Sequence, residues 1–105
     1  MSGIEFSATV HQVGELPVVE FHGDINAFAE EAMNEAYEEA ERMTSGPIAF
    51  SFAKVDYINS TGIALIVSLL ARARKAKRTI RATGLNEHYR EIFTITRLSD
   101  FMEME

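Results

Sequence analysis

Along the chain the hydrophobic positions change period several times, and each change marks an element. From Ile4 to Val10 the apolar residues Ile4, Phe6, Ala8 and Val10 alternate with mostly polar ones, the period of a strand with one buried face. "HQVGELP" then supplies a turn, and Leu16 to Phe21 continues as a second strand, so an antiparallel hairpin opens the fold. "GDINAF" breaks the alternation. From Ala27 onward Phe28, Ala32, Met33, Ala36, Tyr37, Ala40 and Met43 recur at helical spacing, which predicts a first helix to about Met43. "TSGP" ends it, since glycine suits a left-handed C-terminal cap and proline cannot continue a helix.

"IAFSFAKV" carries Ile48, Phe50 and Phe52 on one face and the small Ala49, Ser51 and Ala53 on the other, the composition of a central strand with helices packed nearby. After "INSTG", the positions Ile63, Ile66, Val67, Leu69, Leu70 and Ala73 mark a second, strongly apolar helix that a basic run closes. "RTIRATG" is a short strand with Ile80 and Ala82 inward, and Asn86 caps an amphipathic helix that uses Tyr89, Ile92 and Phe93. Leu98 and Phe101 add one more helical turn. Strands alternating with helices after a hairpin predict an α/β domain: a mixed four- to five-stranded sheet with helices packed against it.

Composition narrows the function classes. The chain has 105 residues, 47% of them hydrophobic, enough for one domain over 1–105 with a real core and too few for two. Cysteine is absent and His11, His22 and His88 show no ligand spacing, so the expectation is no metal, no cofactor and no catalytic centre. "MSGIEFSATV" lacks the basic flank and apolar block of a signal peptide, and the apolar run Ile63 to Val67 is far short of a membrane span. A cytoplasmic protein is expected. "NST" is then not a glycosylation acceptor, because that chemistry requires secretion.

A net charge of −6 argues against nucleic acid as a partner. Glu30, Glu31, Glu35, Glu38, Glu39 and Glu41 form a solvated acidic helix face. Arg72, Arg74, Lys75, Lys77, Arg78 and Arg81 are six of the ten Lys and Arg residues, and they lie together at the end of the second helix. Cations suit the negative end of a helix dipole, which is the first explanation of this run; a contact patch for an acidic partner is the second.

The densest chemistry lies in "VDYINSTGIALIV", where Asn59, Ser60 and Thr61 stand between the central strand and the second helix. All three are preferred helix caps. A loop leaving the C-terminal end of a central strand and opening a helix is also where α/β sheets present functional groups. There, backbone N–H groups could hold the anion of a phosphorylated Ser60 or Thr61. Gly62 would leave room for the close approach of another surface.

This stretch, with "TGLNEHYREIFTITRLSDF" after the next strand, resembles the bacterial anti-sigma factor antagonists, the small stand-alone members of the STAS domain family. The resemblance spans nearly the whole chain. The family's Asp, Ser, Ser or Thr, Gly turn is matched by Asn59, Ser60, Thr61 and Gly62, its turn before the first helix by Gly23, Asp24, Ile25 and Asn26, and its turn before the third helix by Gly84 and Leu85. It implies a non-enzymatic switch. The unphosphorylated form binds an anti-sigma factor that is also a serine kinase of the histidine-kinase-like ATPase type and releases its target. Phosphorylation of Ser60, with Thr61 the secondary acceptor, abolishes binding, and a serine phosphatase restores it. The implied contact surface is Asp24, Asn26, Asn59, Ser60, Thr61, Gly62 and Ile63. Asn26 and Asn59 replace residues that are typically Asp in the family; an Asn can orient a hydroxyl but cannot take its proton. The alternatives are a non-catalytic STAS scaffold subunit of a transport or stress-signalling assembly, and a partner switch whose target is not a sigma factor.

Overall fold

In the computed structural model, which describes residues 3–105, the opening alternation becomes strand β1, Ser7–Val13, paired antiparallel with β2, Leu16–Ile25. Met1 and Ser2, at the head of the stretch read for a targeting signal, lie outside the described residues. The hairpin is tighter than its composition suggests, because His11, Gln12 and Val13 pair with Val18, Pro17 and Leu16, leaving Gly14 and Glu15 to reverse the chain. β2 also runs past Phe21. Gly23, Asp24 and Ile25 pair in parallel with Val55, Tyr57 and Ile58 of β3, Ile48–Ile58, across two register shifts. Turn-forming residues stay in the sheet there because the neighbouring strand supplies hydrogen bonds that no local pattern reveals.

A 3-10 turn, Ala27–Ala29, leads into helix α1, Glu30–Met43. Helix α2, Ser60–Lys75, follows β3; strand β4, Ile80–Thr83, and helix α3, Glu87–Ile95, come next. A second 3-10 turn, Leu98–Phe101, leads to β5, Glu103–Met104. The sheet order is β1-β2-β3-β4-β5, antiparallel only at the hairpin, so the mixed sheet expected from the sequence is present with five strands.

The helices pack on one face. Val19 and Phe21 of β2, Phe50 and Phe52 of β3 and Ile80 and Ala82 of β4 join one core with Met33 and Tyr37 of α1, Ile66, Leu69 and Leu70 of α2, and Tyr89 and Phe93 of α3. Phe52 meets Phe93 edge-on at 5.7 Å between centroids, and Phe50 meets Tyr37 at 6.1 Å. The opposite face holds the buried Val18, Ala49 and Ser51 outside that core. Longer side chains cross this face: Glu20 reaches His22 at 3.0 Å and Lys54 at 3.6 Å, and Arg81 reaches Glu103 at 3.5 Å. Small residues in β3 therefore lie under charged neighbours from adjacent strands, where a second helical layer would be the usual cover.

Candidate functional site

β3 outruns β4, whose pairing with it ends at Ser51 and Thr83, so the last residues of β3 need partners from elsewhere. They have them on both sides. The buried N–H of Ile58 donates to the Tyr89 hydroxyl of α3 at 2.9 Å, and the N–H of Asn59 donates to the carbonyl of Ile25 at 3.2 Å. The junction between β3 and α2 is thus clamped between the end of β2 and the start of α3.

Of the three possible caps, Asn59 takes the position. Its backbone is extended, its Oδ1 accepts from the Gly62 N–H at 2.8 Å, and its carbonyl accepts from the Ile63 N–H at 2.9 Å. That assignment frees the hydroxyls. Ser60 and Thr61 are the first two residues of α2, both are exposed, and among the described residues neither hydroxyl nor either N–H has a hydrogen-bond partner. Two free donors at the positive end of a sixteen-residue helix are available to an anion.

The contact residues expected from the sequence separate into two groups. Asn26, Asn59 and Ile63 are half-buried around the exposed Ser60 and Thr61. Asp24 and Gly62 are buried beneath them. Asp24 is 1% exposed; its carboxylate accepts from the Gly3 N–H at 2.8 Å and its own N–H donates to the Ile4 carbonyl at 3.0 Å. Its role is to fasten the N-terminal segment across the end of β2. A Cβ at Gly23 would fall 2.4 Å from the Glu5 carbonyl oxygen, so this crossing needs glycine. At Gly62 the surface that approaches closely is the protein's own: a Cβ there would lie 2.0 Å from the Ile25 carbonyl oxygen.

Phe28 fits the helical spacing of the apolar positions that follow it, yet it is 94% exposed. Asn26 accepts from the Phe28 N–H at 2.9 Å and starts the 3-10 turn, so Phe28 precedes α1 and does not share its phase. An Asx residue bonding two positions on was the signal in the sequence that the regular helix starts later. Phe28 stands beside a groove of about 360 Å³ that Ile4, Phe6 and Asn26 also line. The turn that carries it touches α2. Along the outer face of α2, Ala64, Val67, Ser68 and Ala71 are exposed and uncharged. The free hydroxyls thus sit at the head of an uncharged face of α2, and the neighbouring 3-10 turn carries the exposed Phe28.

Among the described residues no group of three or more His, Asp or Glu side chains is placed to hold a metal, and no helix is long and apolar enough to cross a membrane. His22 lies beside Glu20, and His88 meets Tyr89 edge-on at 4.9 Å between ring centroids.

Comparison with known proteins agrees with the fold. A family model described as "Mlab, STAS domain" matches residues 8–104. An anti-sigma-B factor antagonist of Listeria monocytogenes is 26% identical over 83 residues, covering 79% of this chain and 73% of its own. A putative anti-sigma factor antagonist of Thermotoga maritima superposes with a TM-score of 0.77 at 13% identity, covering 92% of this chain and 84% of that one. The Bacillus cell fate determinant SpoIIAA in its phosphorylated form does so with a TM-score of 0.68 at 16% identity, covering 94% and 91%.

Proposed function

The chain belongs to the STAS domain family, and from that premise we propose that it is an anti-sigma factor antagonist controlled by phosphorylation of Ser60. The unphosphorylated form docks on an anti-sigma factor that is also a serine kinase of the histidine-kinase-like ATPase type, and so releases that partner's target. A serine phosphatase returns the modified protein to the binding form. The protein contributes no catalytic group of its own and works in the cytoplasm.

One observation carries this reading: Asn59 does the capping, so the Ser60 hydroxyl is exposed and unbonded at the head of an uncharged surface. The docking surface comprises Ser60 and Thr61, the half-buried Asn26, Asn59 and Ile63, and Phe28. An exposed aromatic ring beside a groove has the character of an interface anchor. Asp24 and Gly62 act beneath it as supports.

The energetics give the switch its direction. Within the monomer, a phosphate at the start of α2 is favourable by about 0.3–1 kcal/mol through the helix dipole. In a complex, the same roughly −1.5 to −2 charges would be enclosed beside the uncharged outer face of α2, and an unpaired buried charge costs several kcal/mol. The intermolecular cost exceeds the intramolecular gain, so modification acts on association and leaves folding intact.

A second reading is favoured by Asn59: a docking subunit of a larger assembly in which no phosphate turns over. Asn59 spends its side-chain oxygen on Gly62 and has no carboxylate with which to assist phosphoryl transfer. Purification of the native protein with its bound partner, followed by peptide mass spectrometry after incubation with ATP, separates the two. A kinase partner and phosphate on Ser60 are expected. Phosphate confined to Thr61, or a partner without kinase activity, contradicts the switch.

A further inference from the structure

The end of α2 farthest from Ser60 bears a second surface that the proposed switch does not use. Arg72, Arg74 and Lys75 occupy the last helical turn, where the dipole explains them. Arg72 is also paired, with Glu41 at 3.0 Å and Glu38 at 3.9 Å. Lys77 and Arg78 lie beyond the helix, where that explanation fades.

Lys77 is in the left-handed conformation, with φ at 57°. Its N–H donates to Arg74 at 3.0 Å and that of Arg78 donates to Ala73 at 2.8 Å, a helix terminus whose left-handed residue is usually glycine. A lysine there opposes the backbone's preference, so its side chain is the feature that needs a reason.

Beside it opens a cleft of about 400 Å³ with Arg74, Lys77 and Arg78 on one wall and Asp100, Phe101 and Glu103 on the other. Both acids are already paired, Asp100 with Arg97 at 3.2 Å and Glu103 with Arg81 at 3.5 Å. Among the described residues the three cations have no carboxylate partner. Arg78 donates from Nη1 to the carbonyls of Thr44 at 2.8 Å and Gly46 at 2.6 Å; these neutral acceptors fix the guanidinium without cancelling its charge. Its Nε is buried with no hydrogen-bond partner. Arg74 lies over the ring of Phe101 at 5.0 Å, and that ring is 44% exposed.

We infer that this cleft is a second docking site, which takes an acidic peptide segment of a partner protein. Carboxylates of the segment meet Arg74, Lys77 and Arg78, and an apolar side chain lies against Phe101. Complementary charge selects this occupant. On a chain of net charge −6, an extended polyanion such as nucleic acid is repelled at long range, and Asp100 and Glu103 oppose a continuous row of phosphates at the rim. A short acidic segment carries few charges, so the long-range repulsion is smaller, and it can end before it meets the two acids.

The test is a titration of the isotope-labelled full chain with the peptide Gly-Glu-Glu-Phe-Asp-Glu-Gly, blocked at both ends, followed by amide chemical shifts. The control peptide replaces each acid by its amide. Shifts confined to residues 74–80 and 100–103, absent with the control, are expected. Arg74→Glu combined with Lys77→Glu should weaken binding about tenfold. Lys77→Gly separates function from stability: it should raise Tm by about 4 °C while lowering affinity. Shifts that map elsewhere, equal binding of the neutral peptide, or unchanged affinity in Lys77→Gly would overturn the site. Tighter binding of phosphatidylglycerol vesicles, lost in the same charge-reversed variant, would overturn the assignment to a peptide.

Discussion

The two ends of α2 are held by opposite means. At the Ser60 end main chain meets main chain: Gly62 rests on the Ile25 carbonyl, Asn59 bonds to the same group, and Tyr89 holds the N–H of Ile58. Asp24, beneath this end, is buried and accepts from Gly3. At the Lys77 end charge does the holding, with Arg78 on two carbonyls, Arg72 on Glu41 and a strained lysine closing the helix. The difference bears on regulation. A single added phosphate alters an uncharged, rigid surface strongly, whereas among many ions its effect would be diluted by compensation and screening.

The largest effect is expected where the packing is tightest. Gly62→Ala places a methyl group 2.0 Å from the Ile25 oxygen, so β2 and α2 must separate. A loss of about 3–5 kcal/mol is expected, a large part of a typical domain's stability of about 5–15 kcal/mol. Thermal denaturation checks it. The reverse exchange at the other end, Lys77→Gly, should raise Tm, and destabilisation at both ends would break the contrast.

Asn59 probes the cap. Asn59→Ala should cost about 1 kcal/mol, or about 4–8 °C in Tm, because the Gly62 N–H loses its acceptor. Asn59→Asp keeps an acceptor, adds a favourable charge at the helix start of about 0.3–1 kcal/mol, and should speed phosphorylation of Ser60 in single turnover. Equal stability of the Ala and Asp variants would show that the cap does not govern this end.

How far these features could be read from the sequence depended on whether their causes were local. The strand, cap and helix around Asn59 and the cap at Asn86 follow from periodicity and residue type within a few positions. Asp24 looked like a turn residue because its partner, Gly3, is 21 residues away. The extension of β2 through Gly23–Ile25 depends on pairing with β3, and the one-sided sheet depends on charged side chains reaching across strands. Phe28 fitted the helical spacing of α1 until the 3-10 turn shifted its phase. Gly62 suggests close approach by its residue type alone, and only the fold shows that the Ile25 carbonyl lies against it.

The smallest effect concerns Tyr37, which lies beneath Arg72 at 4.9 Å from guanidinium carbon to ring centroid. Its hydroxyl is buried without a hydrogen-bond partner among the described residues. Burial, and then the charge of Glu41, hold its pKa above the ordinary 10.0, against the lowering influence of Arg78 and Arg72. Above about pH 10 the unfolded chain releases this proton while the folded chain keeps it, so stability falls as pH rises toward the folded value. Tyr37→Phe should remove that part of the alkaline loss and leave neutral stability unchanged or higher by up to about 1 kcal/mol. Denaturant titrations at pH 7 and on the alkaline side measure both.

Calorimetric titration of unmodified protein, Ser60-phosphorylated protein, Ser60→Asp and Ser60→Ala against the copurified partner, with parallel thermal melts, tests the central claim most directly. Phosphorylation should weaken binding on the order of 100-fold, equivalent to about 3 kcal/mol, with Ser60→Asp affected less and Ser60→Ala binding like the unmodified protein. All four forms should melt within a few degrees of one another. Equal affinities throughout, or weak binding only in forms that have unfolded, would contradict a switch at the head of α2.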